Sequence, residues 1–396
     1  MELVDSFEGR AGLKVFHISS DYARQRLYSE MISHLAAINI EQFVYVPVRS
    51  VDEIDCNRVS GLNEVQYLYS HILRKFHRIF FRLKVRTIAK DLLKYSNISH
   101  YSLMHAHFLY SDGAVARRIQ KITGLPYIVA VRNTDVNVFM RLRPDLQWIC
   151  WDILRHASRI VFMTHSYFQL MCQRAPADVR VMLKKKAVII PNGLDHFWLD
   201  DAGALERPER GRPLRLLYVG DFSRNKNIIG VMKAARIVND RLAVNLTLVG
   251  GGGNGEVQVD SLLASGEWPF VKKVGRVECR EKLREIFLAH DIFVMPSFFE
   301  TFGLVYIEAL SQGVPVVHSR GQGVDGYFSA GTVAEAVDPA KPDSIADGIL
   351  ALSNRLPDIR AQCIKAAKRF DWNEVAYIYQ NIYRETENSI LISDLK

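Results

Sequence analysis

The stretch PSFFETFGLVYIEALSQGVPVV (296–317) carries two carboxylates, Glu300 and Glu308, eight residues apart. A carboxylate pair in one segment is what a glycoside hydrolase uses as acid and nucleophile or base. Eight residues along a helix span roughly 12 Å at about 1.5 Å each, whereas hydrolase pairs stand about 5–9.5 Å apart. Side chains can close part of that gap, so the spacing disfavours the hydrolase pair without excluding it. Two surface glutamates at a helix start are the plain alternative. The run IFVMPS (292–297) reads as a strand, and a helix is expected from Thr301 as N-cap to Gly313 in the C′ position, with Pro315 behind it. Gly303 in the first turn would let an anion come close to the free N–H groups there.

A second group with anion-binding chemistry lies in VGDFSRNKN (219–227), between a strand and a helix. Arg224 and Lys226 stand at that helix entrance, where the free N–H groups and the helix dipole favour a phosphate. The guanidinium fork and the ammonium point charge together suit a pyrophosphate, and a solvated turn is the alternative. Gly250, Gly252 and Gly255 formally spell G-x-G-x-x-G. The dinucleotide fingerprint also needs a full helix and an acidic residue about 20 residues on, and the intervening helix is short. A glycine-rich strand end lining a ligand cleft is the better reading. The sequence has no D-x-D for a metal on a sugar diphosphate, and no H-E-x-x-H, Walker loop or G-x-S-x-G. The five cysteines are scattered and never spaced C-x-x-C, which points to small core residues rather than zinc or disulfides. No metal and no cofactor are expected.

Positioning such residues requires a scaffold, and the apolar pattern supplies one. Strands are expected at 13–20, 42–48, 103–108, 127–131, 159–164 and 187–193, then at 214–220, 245–251, 271–277, 292–297 and 314–319, alternating with helices such as 227–240. Near-continuous apolar strands alternating with helices imply parallel sheets covered on both faces. Between the two series, DAGALERPERGRP is polar and rich in Gly, Pro and Arg. The expected organisation is therefore an α/β chain with a doubly wound domain over 1–200 and a linker at 201–213. A second doubly wound domain follows over 214–370, and a helix over 371–396 has an aromatic stripe that suits packing back on the first domain. Ligands in this class bind beyond the carboxyl ends of the strands, here in a cleft between the two domains.

Net charge is +8, from 51 Lys/Arg against 43 Asp/Glu. Much of the excess lies in 71–94, where Arg74, Arg78, Arg82, Arg86, Lys90 and Lys94 recur every fourth residue beside Ile72, Phe76, Ile79, Phe80 and Leu83. A basic amphipathic helix of this kind can lie on an anionic membrane surface, and an ordinary solvated helix face is the alternative. The polar start MELVDSFEGR does not look like a signal peptide, and no apolar run approaches the roughly 20 residues a spanning helix needs. The expectation is a cytoplasmic chain, with possible contact at the inner face of the membrane and no nucleic-acid partner.

Taken together, MHAHFLYSDGAVARRI (104–119), IIPNGLDHF (189–197), VGDFSRNKN, LVGGGG (248–253), PSFFETFGLVYIEALSQGVPVV and RGQGVDGYF (320–328) resemble the retaining family-4 glycosyltransferases of GT-B architecture. The likeness is strong from about residue 100 to 385 and weaker before that. It implies transfer of a sugar from a nucleotide diphosphate sugar, UDP- or GDP-linked, to a glycan or lipid-linked acceptor, with retained configuration and no obligatory metal. Gly220, Gly251 and Arg224 fall in the donor-binding loops. By position Lys226 would bind the diphosphate, with the N–H groups of Phe302, Gly303 and Leu304 facing the phosphates. Glu308 would hold the ribose and Glu300 the donor sugar.

Two positions depart from the family pattern. Asp221 stands where arginine is usual, and Arg224 would supply the missing charge. Arg132, in Arg132-Asn133-Thr134-Asp135, replaces the histidine close to the donor sugar; His107 and Asp135 join it as first-domain candidates, and His165 is structural. A nucleotide-sugar epimerase or hydrolase, and a non-catalytic nucleotide-sugar-binding partner, remain as rivals.

Overall fold

The computed structural model describes residues 12–95, 98–200, 212–329 and 331–393. Most of the expected 201–213 linker, the first residues of the expected first domain and the last of the terminal segment lie outside these. The chain divides into two compact units. Unit one runs to Met163, takes in Tyr167–Ile190 and resumes at Trp372, while unit two is Pro191–Asp371 with Thr164–Ser166.

Unit one holds a seven-stranded sheet of β1 (Lys14–Ile18), β2 (Glu41–Pro47), β3 (Val65–Ser70), β4 (Leu103–Ala106), β5 (Tyr127–Val131), β6 (Arg159–Phe162) and β7 (Ala187–Ile189). Their order is β3-β2-β1-β4-β5-β6-β7. Unit two holds β8 (Leu214–Gly220), β9 (Val244–Gly250), β10 (Val271–Gly275), β11 (Ile292–Val294), β12 (Val316–Ser319) and β13 (Ala334–Val337), in the order β10-β9-β8-β11-β12-β13. Neighbouring strands pair in parallel, for example Phe16 with Met104 and Leu217 with Phe293. Each sheet therefore reverses its winding once, at β1/β4 and at β8/β11. Such reversals leave a crevice at the carboxyl ends of the two strands, where doubly wound sheets bind ligands.

Two strands escape the apolar pattern, and both are at sheet edges. VQYLYS (β3) is half-buried along most of its length, and AEAV (β13) is short and weak in β-formers. An edge strand is covered on one side only, so it need not read as an apolar run.

The helix expected over 71–94 is shorter and differently faced. It runs Phe81–Tyr95, preceded by a separate 3-10 turn, Lys75–Arg78. The reason is local: the Arg74 N–H donates to His77 Nδ1 (3.0 Å), and the His77 ring is buried, so the chain is tied into a turn. Arg74 and Arg78 therefore lie off the helix. Lys84 is buried, its Nζ donating to Ser111 Oγ at 2.9 Å. Phe76, Ile79, Phe80 and Leu83 are exposed rather than packed.

The C-terminal helix Trp372–Ser393 belongs to unit one. Its Tyr383 hydroxyl meets His105 Nδ1 at 2.8 Å, and Trp372 stacks on His34 with centroids 5.9 Å apart. No helix among the described residues is long and apolar enough to cross a membrane.

Candidate functional site

In unit two the sequence-predicted donor residues converge on the β8/β11 reversal. The helix after β11 spans Leu304–Ser311 with Gly303 as its N-cap, so it starts later than the Thr301 cap expected from sequence. Gly303 sits at φ +80°, and a Cβ there would lie 2.4 Å from the Tyr306 ring, so only glycine fits. Thr301 instead donates its N–H to Glu300 Oε1 at 3.0 Å. Glu308 falls on the second turn, while Glu300 stands ahead of the helix entrance.

Lys226 Nζ reaches Glu300 Oε2 at 2.7 Å, joining the loops after β8 and β11. Glu308 is half-buried. Burial pushes its carboxyl up to about 7, with Arg280 pulling it down and Asp195 adding to the rise. Arg280 is itself paired with Asp195 at 3.0 Å. Arg224 is exposed, and its side chain makes no ion pair among the described residues.

Two asparagines that sequence reasoning passed over hold these loops together. Asn225 donates Nδ2–H to the Phe299 carbonyl (2.9 Å) and accepts from the Phe299 N–H (3.0 Å). Asn227, in the left-handed region at φ +57°, donates to the carbonyls of Pro296 (3.1 Å) and Pro339 (2.7 Å). The available signal was their place inside a strand-to-helix loop, since asparagine tolerates positive φ and can bond backbone on both sides. Asp221 is a turn-former: its Oδ1 accepts from the Ser223 N–H at 2.9 Å. Its replacement of a basic residue therefore shapes the loop.

The glycine-rich loop serves the close approach of two loops. A Cβ at Gly250 would lie 1.8 Å from the Gly220 carbonyl oxygen, and one at Gly255 would lie 2.5 Å from the Phe222 oxygen. Gly251 faces only the end of the Glu256 side chain, 3.2 Å from where its Cβ would be. Glu256 Oε2 accepts the Gly252 N–H at 2.6 Å, so that donor already has an anionic partner.

In unit one, Arg132, His107 and Asp135 come together, all buried, at the carboxyl ends of β4 and β5. Asp135 accepts from the N–H groups of Leu109 (3.0 Å), Tyr110 (3.0 Å) and Arg132 (2.9 Å). Burial raises its carboxyl to about 6, against the pull of those N–H groups. It ties the loops after β4 and β5 to one another rather than presenting a free carboxylate. Arg132 donates from Nε to the His107 carbonyl (3.3 Å) and stands 5.4 Å over the Tyr28 ring.

The His107 ring belongs to a trio with His17 and His105. His17 Nδ1 and His107 Nε2 are 3.0 Å apart, and the His105 and His107 rings stack at 4.1 Å. Among the described residues this is the one group able to offer a metal three ligand atoms. Burial drives all three rings well below the usual histidine range, His17 to about 3, and Arg132 adds to the fall at His105 and His107.

Residues 206–370 match the family model described as Glycosyl transferases group 1. The D-inositol 3-phosphate glycosyltransferase of Pseudarthrobacter chlorophenolicus is 32% identical over 302 residues, covering 72% of this chain and 70% of that protein. The chain belongs to the glycosyl transferases group 1 family. Among solved structures, this group 1 glycosyltransferase resembles the apo form of the lipopolysaccharide outer core galactosyltransferase WaaB, with TM-score 0.71, 16% identity and coverage of 94% and 99%. Anabaena HepE in complex with UDP-glucose gives TM-score 0.63 at 15% identity, covering 95% and 100%. The two parallel-sheet units are those of the GT-B fold, and the epimerase, hydrolase and non-catalytic readings are not favoured.

Proposed function

We propose that this glycosyltransferase is a retaining family-4 enzyme that moves a sugar from a nucleotide diphosphate sugar to a hydroxyl of a lipid-linked glycan acceptor, in surface polysaccharide synthesis. The observation that carries the donor half is the Lys226–Glu300 contact of 2.7 Å beside the Gly303 helix entrance, at the reversal of the second sheet. There Lys226 and Arg224 bind the diphosphate, assisted by the N–H groups of Phe302, Gly303 and Leu304 at the helix entrance. Gly220 and Gly251 leave the loops free of side chains, Glu308 takes the ribose hydroxyls and Glu300 the sugar. Fixed positive charge and a helix N-terminus stabilise a departing diphosphate as its negative charge grows, with no metal required.

For chemistry we favour same-face attack by the acceptor hydroxyl, with the leaving phosphate assisting its deprotonation. Arg132, a permanent cation, is the catalytic candidate of unit one. His107 and Asp135 hold it in place through the 3.3 Å bond to the His107 carbonyl and the 2.9 Å bond from the Arg132 N–H. In this reading 1–200, less the stretch 191–200 that packs with unit two, is the acceptor domain, 201–213 the linker and 214–370 the donor domain, with 371–396 completing the first. HepE, solved with UDP-glucose, supports a uridine donor, with a guanosine donor as the second choice. WaaB, named for the lipopolysaccharide outer core, supports an acceptor of surface-glycan type. Such an acceptor would be met at the inner face of the membrane through the basic 71–94 segment.

The test is a calorimetric screen of UDP-, GDP- and other nucleotide sugars, followed by incubation with and without acceptor glycans. The expected outcome is one preferred nucleotide and product only when acceptor is present. Epimer or rapid free sugar without acceptor would overturn the proposal, as would nucleotide binding with no transfer to any acceptor.

A further inference from the structure

A groove of about 270 Å³ opens in unit one, lined by helices Phe81–Tyr95, Ser111–Thr123 and Gln147–His156. Its floor is apolar, from Phe81, Val85, Ile149 and Ile153, and five cations line it: Arg82, Arg86, Arg117, Arg118 and Lys121. One carboxylate answers them, Asp152, already bonded to Arg117 at 3.1 Å and near Lys121 at 3.7 Å. Trp148 forms one wall; it is 56% exposed, and Arg82 stands 5.2 Å over its ring. The volume lies just below the roughly 300–1,000 Å³ usual for small-molecule sites, room for a headgroup rather than a whole nucleotide sugar.

The rim is equally unusual. Where the sequence pattern called for a continuous helix, the chain breaks before Phe81, leaving Ile79 71% and Phe80 59% exposed at the helix start. Phe81 meets Phe139 edge to face at 6.1 Å, which brings the stretch with Leu142, 64% exposed, beside it. Exposed apolar side chains interleaved with cations that outnumber their one carboxylate are a poor face for water alone. They suit a surface that is apolar below and anionic above.

We propose that this face docks on a membrane of anionic phospholipid. The groove takes a lipid phosphate among its cations, while Ile79, Phe80 and Trp148 enter the acyl boundary. The proposal rests on the membrane-surface part of the function above, and it moves the contact from the stripe within 71–94 to a site completed by Arg117, Arg118, Lys121 and Trp148. Charge complementarity selects the occupant, since each basic side chain near an anionic surface strengthens binding by about a factor of five.

The full chain is mixed with vesicles of phosphatidylcholine alone, or with a third of phosphatidylglycerol, and sedimented. Binding is expected only to the anionic vesicles, about 30-fold weaker in Arg86→Gln/Arg118→Gln and not displaced by inorganic phosphate at physiological ionic strength. Because Trp148 is the exposed tryptophan, the emission should shift to the blue on binding. Trp148→Phe should sediment as before without that shift. No binding to anionic vesicles, full displacement by phosphate, or binding that survives the double variant with no shift in emission would each overturn the docking site. Donor binding is measured on the same samples. Loss of vesicle binding with intact nucleotide binding refutes this site alone, while vesicle binding without any nucleotide binding refutes the donor reading instead.

Discussion

At the β8/β11 reversal Lys226 meets Glu300 at 2.7 Å, with both side chains partly open to solvent. At the corresponding β1/β4 reversal His17 meets His107 at 3.0 Å, with both rings buried. The two sheets are wound alike, so the difference lies in what the loops carry. The second unit keeps its charges reachable on short loops stapled by Asn225 and Asn227. The first builds a neutral imidazole floor and sets one permanent cation, Arg132, above it. A charge meant for a soluble anion must stay solvent-reachable, whereas a charge meant to be fixed benefits from rigid, uncharged support.

The sharpest way to break this contrast is through backbone space. Gly250→Ala places a Cβ against the Gly220 carbonyl at a position with φ +133°. It should destabilise the protein by at least about 3 kcal/mol, strain and overpacking combined. Gly124→Ala, at φ +78° with nothing within 4 Å, should cost only about 1 kcal/mol. Urea denaturation of both variants checks the pair, and equal losses would remove the special role given to the glycine loop.

Single groups at the two sites should also answer acid with opposite signs. His17 is held near 3 in the fold against an ordinary 6.5, so the unfolded chain binds the extra proton between those values. Its contribution is fully present above pH 6.5 and is lost as pH falls toward 3. Glu308 is raised to about 7 from 4.5, so the folded state binds the extra proton and its ionised form is a burden above pH 7. His105, likewise lowered by burial, loses stability in the same direction, so relative to the wild type His105→Gln should gain up to about 1.4 kcal/mol per pH unit as pH falls below 6.5. Glu308→Gln should be more stable than the wild type at pH 8 and indistinguishable from it at pH 4. A Glu308→Gln variant less stable than the wild type at pH 8 would show that the Glu308 carboxylate is well solvated.

The smallest expected effect concerns Asp221. Asp221→Asn keeps the acceptor for the Ser223 N–H and should change stability by less than about 0.5 kcal/mol. Asp221→Arg should tighten nucleotide diphosphate binding, by calorimetry, at a measurable cost in stability.

The fold class was legible because parallel strands covered on both faces are near-continuous apolar runs. That signal found the central strands and missed β3 and β13, half-covered at the edges. The candidate phosphate-binding residues Arg224 and Lys226 were legible as charge at a strand-to-helix loop, but the partner of Lys226 was not. Nothing in local sequence says that Lys226 will face Glu300, or that Asn225 will bridge to Phe299, because these contacts join loops 74 positions apart. The helix N-cap lies at Gly303 rather than Thr301, at a left-handed φ of +80° where the Tyr306 ring leaves no room for a Cβ. In unit one His107 and Asp135 were candidates through the family resemblance; their burial, the three backbone N–H groups on Asp135 and the Arg132 bond to the His107 carbonyl are packing facts that local sequence does not carry.

The central claim is that the β8/β11 reversal is the nucleotide diphosphate site. It is tested most directly by titrating the preferred nucleoside diphosphate into the wild type and Lys226→Ala at matched stability. Loss of one charge-assisted phosphate contact is worth about 1.5–3 kcal/mol, so affinity should fall roughly tenfold to a hundredfold. Equal affinity in the two proteins would contradict the account.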